Sequence, residues 1–296
     1  QFRNFRISKR LPPGAISSSV RERAYELSQS FTLEEKLSRE DLLELADMGS
    51  SVQQALLDRA QELEKASERL RQSAEQVRIA QILNQLENLL LTDKDLLDEY
   101  LLLRAALLVA QLDNPHFHLS SYFKKMDSIA LRISENIPNS ATPKEKLNIL
   151  LEQLFVEYGF RGSTLDFHHR GNSYVNDVID KRSGIPITLS LLLMELGKKM
   201  DLPIHGLATP GHFLAFYKEV HQKDEDAILI DAFTGTTITL NQASELTNSE
   251  VRSTDLKPAT PTEMISRILN NLLKSADWER DNSASLRYLN ALVTIN

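Results

Sequence analysis

The segment from Arg182 to Leu196 constrains this chain more than any other. Pro186, just after Gly184, suits the first position of a helix, where its missing amide hydrogen costs nothing. The run from Ile185 to Leu196 is interrupted only by Thr188, Ser190 and Glu195. It falls short of the roughly 20 apolar residues that a bilayer span needs. Two motifs follow it in order, Pro210-Gly211-His212-Phe213 and Ile230-Asp231-Ala232-Phe233. A helix start, a histidine and an aspartate are parts from which a cysteine-based catalytic site can be built. The attacking atom of such a site is a thiolate, and the chain contains no cysteine.

Composition narrows the partners. The formal net charge of −7 argues against a dedicated nucleic-acid surface. Arg3, Arg6, Lys9 and Arg10 are an exception, and the expected reading is a solvated, irregular basic end. The lack of cysteine excludes disulfides, thiolate metal sites and S-acylation, and fits a reducing compartment such as the cytoplasm. No segment reads as a membrane span. The chain starts on Gln1, which is consistent with a fragment or with a leader already removed.

Residues 1–20 read as irregular, and residues 21–140 as a helical region. Leu56, Ala60, Leu63, Ser67, Leu70, Ala74 and Val77 recur at alternating steps of four and three, a heptad seam with large residues on one row and small ones on the other. Its short length favours a helix inside a bundle over a dimeric coiled coil. Leu101 to Leu112 is apolar nearly all round and is expected to be buried. A second helix fits Leu119 to Ile137. Thr142, Pro143 and Glu145 form a capping signature for a third, closed by Gly159. A loop over 160–173 and a helix from Tyr174 to Lys181 precede the Pro186 helix.

Beyond about Met200 the pattern changes to strands. Pro203 to Leu207, His212 to Tyr217, Ala227 to Ile230 and Thr236 to Leu240 are joined by short connections, which predicts an antiparallel sheet. Thr260, Pro261 and Glu263 repeat the cap signature. Ile265, Ile268, Leu269, Leu272 and Leu273 make one helix face. Leu286, Leu289, Leu292 and Val293 make the face of a last helix. The pair has the size of one tetratricopeptide unit and needs a neighbour to bury its apolar side.

Five motifs in order resemble the bacterial SirB-type family. They are Phe155 to Gly162, Asn172 to Asn176, Arg182 to Ser190, Pro210 to Leu214 and Ile230 to Phe233. The likeness covers about residues 85–296. It implies an α+β fold: a mostly helical N-terminal region, a transglutaminase-like (papain-like) domain over 141–258 with a small antiparallel sheet, and a tetratricopeptide-type helix pair over 259–296. The wider transglutaminase-like superfamily has Gly-x-Cys at its buried helix start. The resemblance therefore implies that Pro186 occupies the nucleophile position, with His212 and Asp231 at the histidine and aspartate positions. The SirB-type family itself usually reads Gly-Ile-Pro there. It usually has proline where this chain has Ala232. Related modules in eukaryotic F-box proteins imply adaptor work.

These readings lead to expectations about the site. His212 and Asp231 should lie within hydrogen-bond reach, as a structural pair or as an altered catalytic one. Asn172, Ser173, Gly184 and Gly211 are candidates for a binding cleft, and either Asn172 or Ser173 can cap the helix that follows. Ser190 is expected to bond back to a carbonyl one turn earlier, and no nucleophile elbow supports a serine hydrolase through Ser183. His116, His118, His168 and His169 are read as solvated loop residues, and His205 as a packed or edge residue. No metal and no cofactor is expected. The expected function is a non-catalytic binding or scaffold protein whose partner is another protein or peptide. An atypical hydrolase or acyl-transferase using His212 and Asp231 is the alternative, and a regulator acting through the N-terminal helices is a third reading.

Overall fold

The computed structural model describes residues 39–47, 50–91, 99–164, 166 and 168–296. The basic start expected over 1–20, and the first part of the helical region as far as residue 38, lie outside the described residues. The chain divides into two units, residues 1–77 and 78–296.

In the first unit, α1 spans Arg39–Asp47 and α2 spans Ser50–Leu91, crossing into the second unit. Val52 and Ala55 are buried and Leu56 packs on them. The heptad seam departs from expectation. Leu63, Leu70 and Val77 are 50%, 72% and 58% exposed, so among the described residues nothing seats the row in a bundle. Between residues 60 and 77 nearly every position of α2 is exposed.

The second unit is mostly helical. The helices are α3 (Leu101–Gln111), α4 (Leu119–Glu135), α5 (Pro143–Leu151, continued by a π-helical stretch over Glu152–Glu157), α6 (Val175–Lys181), α7 (Pro186–Lys198), α8 (Leu240–Thr247), α9 (Pro261–Glu279) and α10 (Asn282–Ile295). Local chemistry sets their ends. Thr142 and Thr260 each accept from the amide three residues on, and Glu145 and Glu263 reach back to the cap amide. Gly159 takes φ +70° at the end of the π-helical stretch, a conformation open to glycine.

Helix α7 is the centre. All of its residues from Pro186 to Leu193 are buried, as are Glu195 and Leu196. It packs against α3, α4, α6, α9, β1, β3 and β4, where β1 is Arg161–Gly162, β3 is Ile204–Ala208 and β4 is Phe213–Tyr217. Its one buried carboxylate, Glu195, accepts from the Leu103 amide in the first turn of α3 (3.2 Å), where amides lack intrahelical partners.

The sheet runs β3-β4-β5-β6, all antiparallel, with β5 at Ile228–Asp231 and β6 at Thr236–Ile238. Ala208 opposes Phe213, Ala215 opposes Ile230 and Asp231 opposes Thr236. Every residue of β4 is buried because both faces are covered. Phe213, Ala215 and Tyr217 join the main core, while Leu214 and Phe216 join a second cluster containing Ala243 of α8.

Helices α9 and α10 pack on one another, and α9 packs on α3, α7 and β3. The face predicted for α9 is correct for Ile265, Ile268, Leu269 and Leu272. The face predicted for α10 is not. Leu286, Leu289 and Val293 are exposed, and Ala284, Tyr288, Ala291 and Ile295 are buried instead. Two alanines allow close approach, and Tyr288 turns inward because a polar partner awaits it. That partner is Asp113, just beyond α3. Its carboxylate accepts from the Tyr174 and Tyr288 hydroxyls and from Nε of Arg287 (2.9 Å). The two hydroxyls lie 2.8 Å apart. Burial, followed by the neighbouring carboxylate, pushes the Tyr288 phenol up to about 12, so it remains a donor.

This network predicts that Asp113→Ala lowers stability by on the order of 3 kcal/mol, because two phenols and a guanidinium lose one shared acceptor. Tyr288→Phe added to it should cost much less than it does alone. Urea unfolding of the four proteins measures both effects; fully additive losses would contradict the shared acceptor.

Candidate functional site

Three separate stretches meet around the start of α7. Residues Ser183–Gly184 form β2, which pairs in parallel with β1. The Arg161 amide donates to the Arg182 carbonyl (3.0 Å), Gly162 to Phe233 (3.0 Å) and Ser163 to Gly184 (2.9 Å). Residues 161–163 thus stitch the entry of α7 to the turn after Asp231. Gly162 is required by space, since a Cβ there would stand 2.5 Å from the Phe233 ring. The same holds at Gly184, where a Cβ would stand 2.8 Å from both Thr188 Oγ1 and Val178 Cγ1.

The loop before α6 is tied to the same point. The Asn172 carbonyl accepts from the Ile185 amide (3.3 Å) and from the Thr188 hydroxyl (3.0 Å). The Asn172 side chain donates to the Asp166 carbonyl (2.6 Å). Asn172, Ser173 and Gly184 are buried, so these three cleft candidates belong to the frame of the helix start. The capping expectation fails. Tyr174 is the N-cap of α6 and makes no side-chain cap bond, because Asn172 already belongs to a short 3-10 turn.

Pro186 stands at the first position of α7, buried. His212 closes the connection between β3 and β4, the two strands against which α7 packs. Its Nε2 lies 2.9 Å from Asp231 Oδ1. The structure therefore brings His212 and Asp231 together as the sequence predicts. The His212 side chain is only 16% exposed, and the Phe233 ring meets it edge-on at 6.4 Å. Gly211 is exposed and takes φ +73°, which turns the chain into His212.

Asp231 is fully engaged. Oδ1 also accepts from the Phe233 amide (3.1 Å), and Oδ2 accepts from the Thr234 hydroxyl (2.8 Å). Burial pushes this carboxyl up, but the bonds from His212, Thr234 and Phe233 outweigh it and hold the pKa below the usual aspartate value. The other side of the loop is held from α9. Arg267 donates to the Thr209 carbonyl (3.1 Å) and to the His212 carbonyl (3.4 Å), and the Thr209 hydroxyl donates to the His212 carbonyl (2.6 Å). Thr209, Thr234 and Arg267 were not legible as site residues, because nothing in their spacing ties them to His212 or Asp231.

The remaining candidates lie elsewhere. The Ser190 hydroxyl is buried and, among the described residues, makes no hydrogen bond; the expected bond to a carbonyl one turn earlier does not form. The His169 ring accepts from the Gly171 amide (3.0 Å), and His168 stacks on Trp278 at 5.8 Å. His205 packs tilted on Phe216 along β3, an edge strand, where burial, followed by Lys218, pulls its pKa down. Among the described residues no group of three or more His, Asp or Glu side chains is arranged to hold a metal. No helix among them is long and apolar enough to cross a membrane.

Known proteins are similar to this chain in sequence. A UPF0162 protein of Xylella fastidiosa is 26% identical over 182 residues, 58% of this chain and 63% of that protein. A UPF0162 protein of Pseudomonas aeruginosa is 30% identical over 178 residues, with the same coverage of each. The matched region thus spans less than two thirds of these relatives' length. F-box only protein 21 of Homo sapiens is 27% identical over 125 residues, 40% of this chain and 20% of that protein. No solved structure matches the chain. The family model described as the transglutaminase-like superfamily matches residues 120–270, a stretch that includes Pro186, His212 and Asp231. That match covers half of the chain, and the protein belongs to the transglutaminase-like superfamily.

Proposed function

We propose that this chain is a non-catalytic binding or scaffold protein, a SirB-type member of its superfamily in which proline stands in place of the nucleophile. The observation that carries this reading is Pro186 at the first position of α7. A cysteine there would be activated by helix amides and by a histidine. Proline supplies neither a nucleophile nor an amide hydrogen. A triad without its nucleophile retains only about 10³–10⁴-fold acceleration from the rest of the site. The engagement of every Asp231 oxygen with neighbouring donors favours a structural clamp.

In this reading residues 141–258 are the transglutaminase-like domain, and α9 with α10 is a tetratricopeptide-type pair. Its partner is another protein or peptide. The likeness to F-box only protein 21, an F-box protein by name, is in keeping with adaptor work. The alternative is an atypical hydrolase or acyl-transferase with His212 as base and Asp231 as its orienter. It is favoured by one feature: Nδ1 of His212 has no hydrogen bond among the described residues, while Nε2 is held by Asp231.

Amide and ester substrates, with water or a primary amine as acceptor, separate the two. The purified chain should release ammonia or acyl product at no more than the background rate. Turnover at an enzyme-like rate that His212→Ala abolishes, with an unchanged melting temperature, would sink the scaffold reading.

The clamp has its own signature. His212→Ala should lower stability by about 1.5–3 kcal/mol, the range for a hydrogen bond to a charged group. The folded pKa of Asp231 lies below its unfolded value of about 3.9. Its stabilisation is therefore complete above about pH 4 and is lost as the pH falls through the folded value. Asp231→Asn should flatten the acid limb of stability against pH, as measured by denaturant midpoints. An unaltered acid limb would show that the carboxylate contributes nothing.

A further inference from the structure

Helix α2 carries an apolar row that no described residue covers. From Ala60 to Val77 its positions are exposed on every side apart from a half-buried Ser67. An isolated helix surrounded by solvent is marginal unless a partner covers its apolar face. The row has two halves. Leu63, Leu70 and Val77 are the large residues, and Ala60, Ser67 and Ala74 are the small ones, each half repeating every seven residues.

That alternation specifies an arrangement. In a parallel pair, large residues would meet large in one layer and small would meet small in the next, leaving gaps that close packing does not tolerate. In an antiparallel pair each large residue faces a small one. Leu70 then lies opposite Ser67 of the other copy, Leu63 opposite Ala74 and Val77 opposite Ala60. The layers are uniform and the surface is complementary to itself under a two-fold axis. Charges flanking the row agree with this register. Glu64 of one copy lies beside Arg71 of the other, and the symmetry makes the pair twice. On the opposite flank Ala66 and Ser73 are small enough to allow close approach.

We infer that α2 is a self-association element, and that its seam over residues 60–77 pairs antiparallel with the same seam of a second copy. The exposed residues Leu286, Leu289 and Val293 of α10 are not part of this contact.

Sedimentation equilibrium of the whole chain tests this. A mass that rises to that of a dimer with concentration is expected. Leu63→Glu with Leu70→Glu should hold it at the monomer mass with unchanged circular dichroism, while Leu286→Glu should leave the dimer intact. Glu64→Arg alone should weaken association at least several-fold, and Glu64→Arg with Arg71→Glu should restore it. A monomer at all concentrations would overturn the inference. So would a dimer indifferent to the two leucine substitutions. Rescue of Glu64→Arg by Arg59→Glu in place of Arg71→Glu would overturn the antiparallel register, because those two positions face each other only in a parallel pair.

Discussion

Enclosure of α7 is the constraint on which the larger unit depends. Its residues from Pro186 to Leu193 are all buried, so each side must be met by another element. Helices α3, α4, α6 and α9 and strands β3 and β4 supply those sides. A cavity against a helix of this kind costs several kcal/mol per large side chain removed, because the surroundings relax only in part. The packing explains why the elements that carry the site motifs come from separate parts of the sequence. It also explains why two glycines are indispensable at its entry, where Phe233, Val178 and Thr188 close in.

The site is a by-product of that enclosure as much as a chemical device. His212 sits where the β3–β4 connection turns over the helix, and Asp231 sits at the end of β5. The carboxylate binds the ring, the Phe233 amide and the Thr234 hydroxyl together. Those bonds fix the turn that brings Phe233 onto Gly162. Arg267 clamps the same connection from α9, so the C-terminal helices take part in holding the site residues. The parts of this frame are retained by packing and by hydrogen bonds, whatever chemistry the His212–Asp231 pair does.

Much of this was legible from local pattern. Caps at Thr142 and Thr260, the four sequential strands, and the pairing of His212 with Asp231 follow from residue type, spacing and resemblance. The departures have a common origin. The seam of α2 and the outer row of α10 both show regular apolar spacing, yet both are exposed. Periodicity reports that a helix has an apolar side, but it cannot say whether this chain supplies the cover. In α10 Ala284, Tyr288, Ala291 and Ile295 take the inward face in place of Leu286, Leu289 and Val293, because Asp113 offers Tyr288 a buried acceptor and the alanines allow close contact. Asn172 was drawn into a turn and away from capping by the Asp166 carbonyl.

Sequence alone determined the helix starts, the order of the strands, the absence of a thiolate and the proline that opens α7. Those properties reside in single residues or in short runs, where backbone chemistry acts over a few positions. Tertiary structure decided which apolar faces are covered, which glycines are compulsory, and that Thr209, Thr234 and Arg267 hold the His212–Asp231 pair. Such contacts join residues far apart along the chain, and only packing in three dimensions brings their atoms within bonding distance.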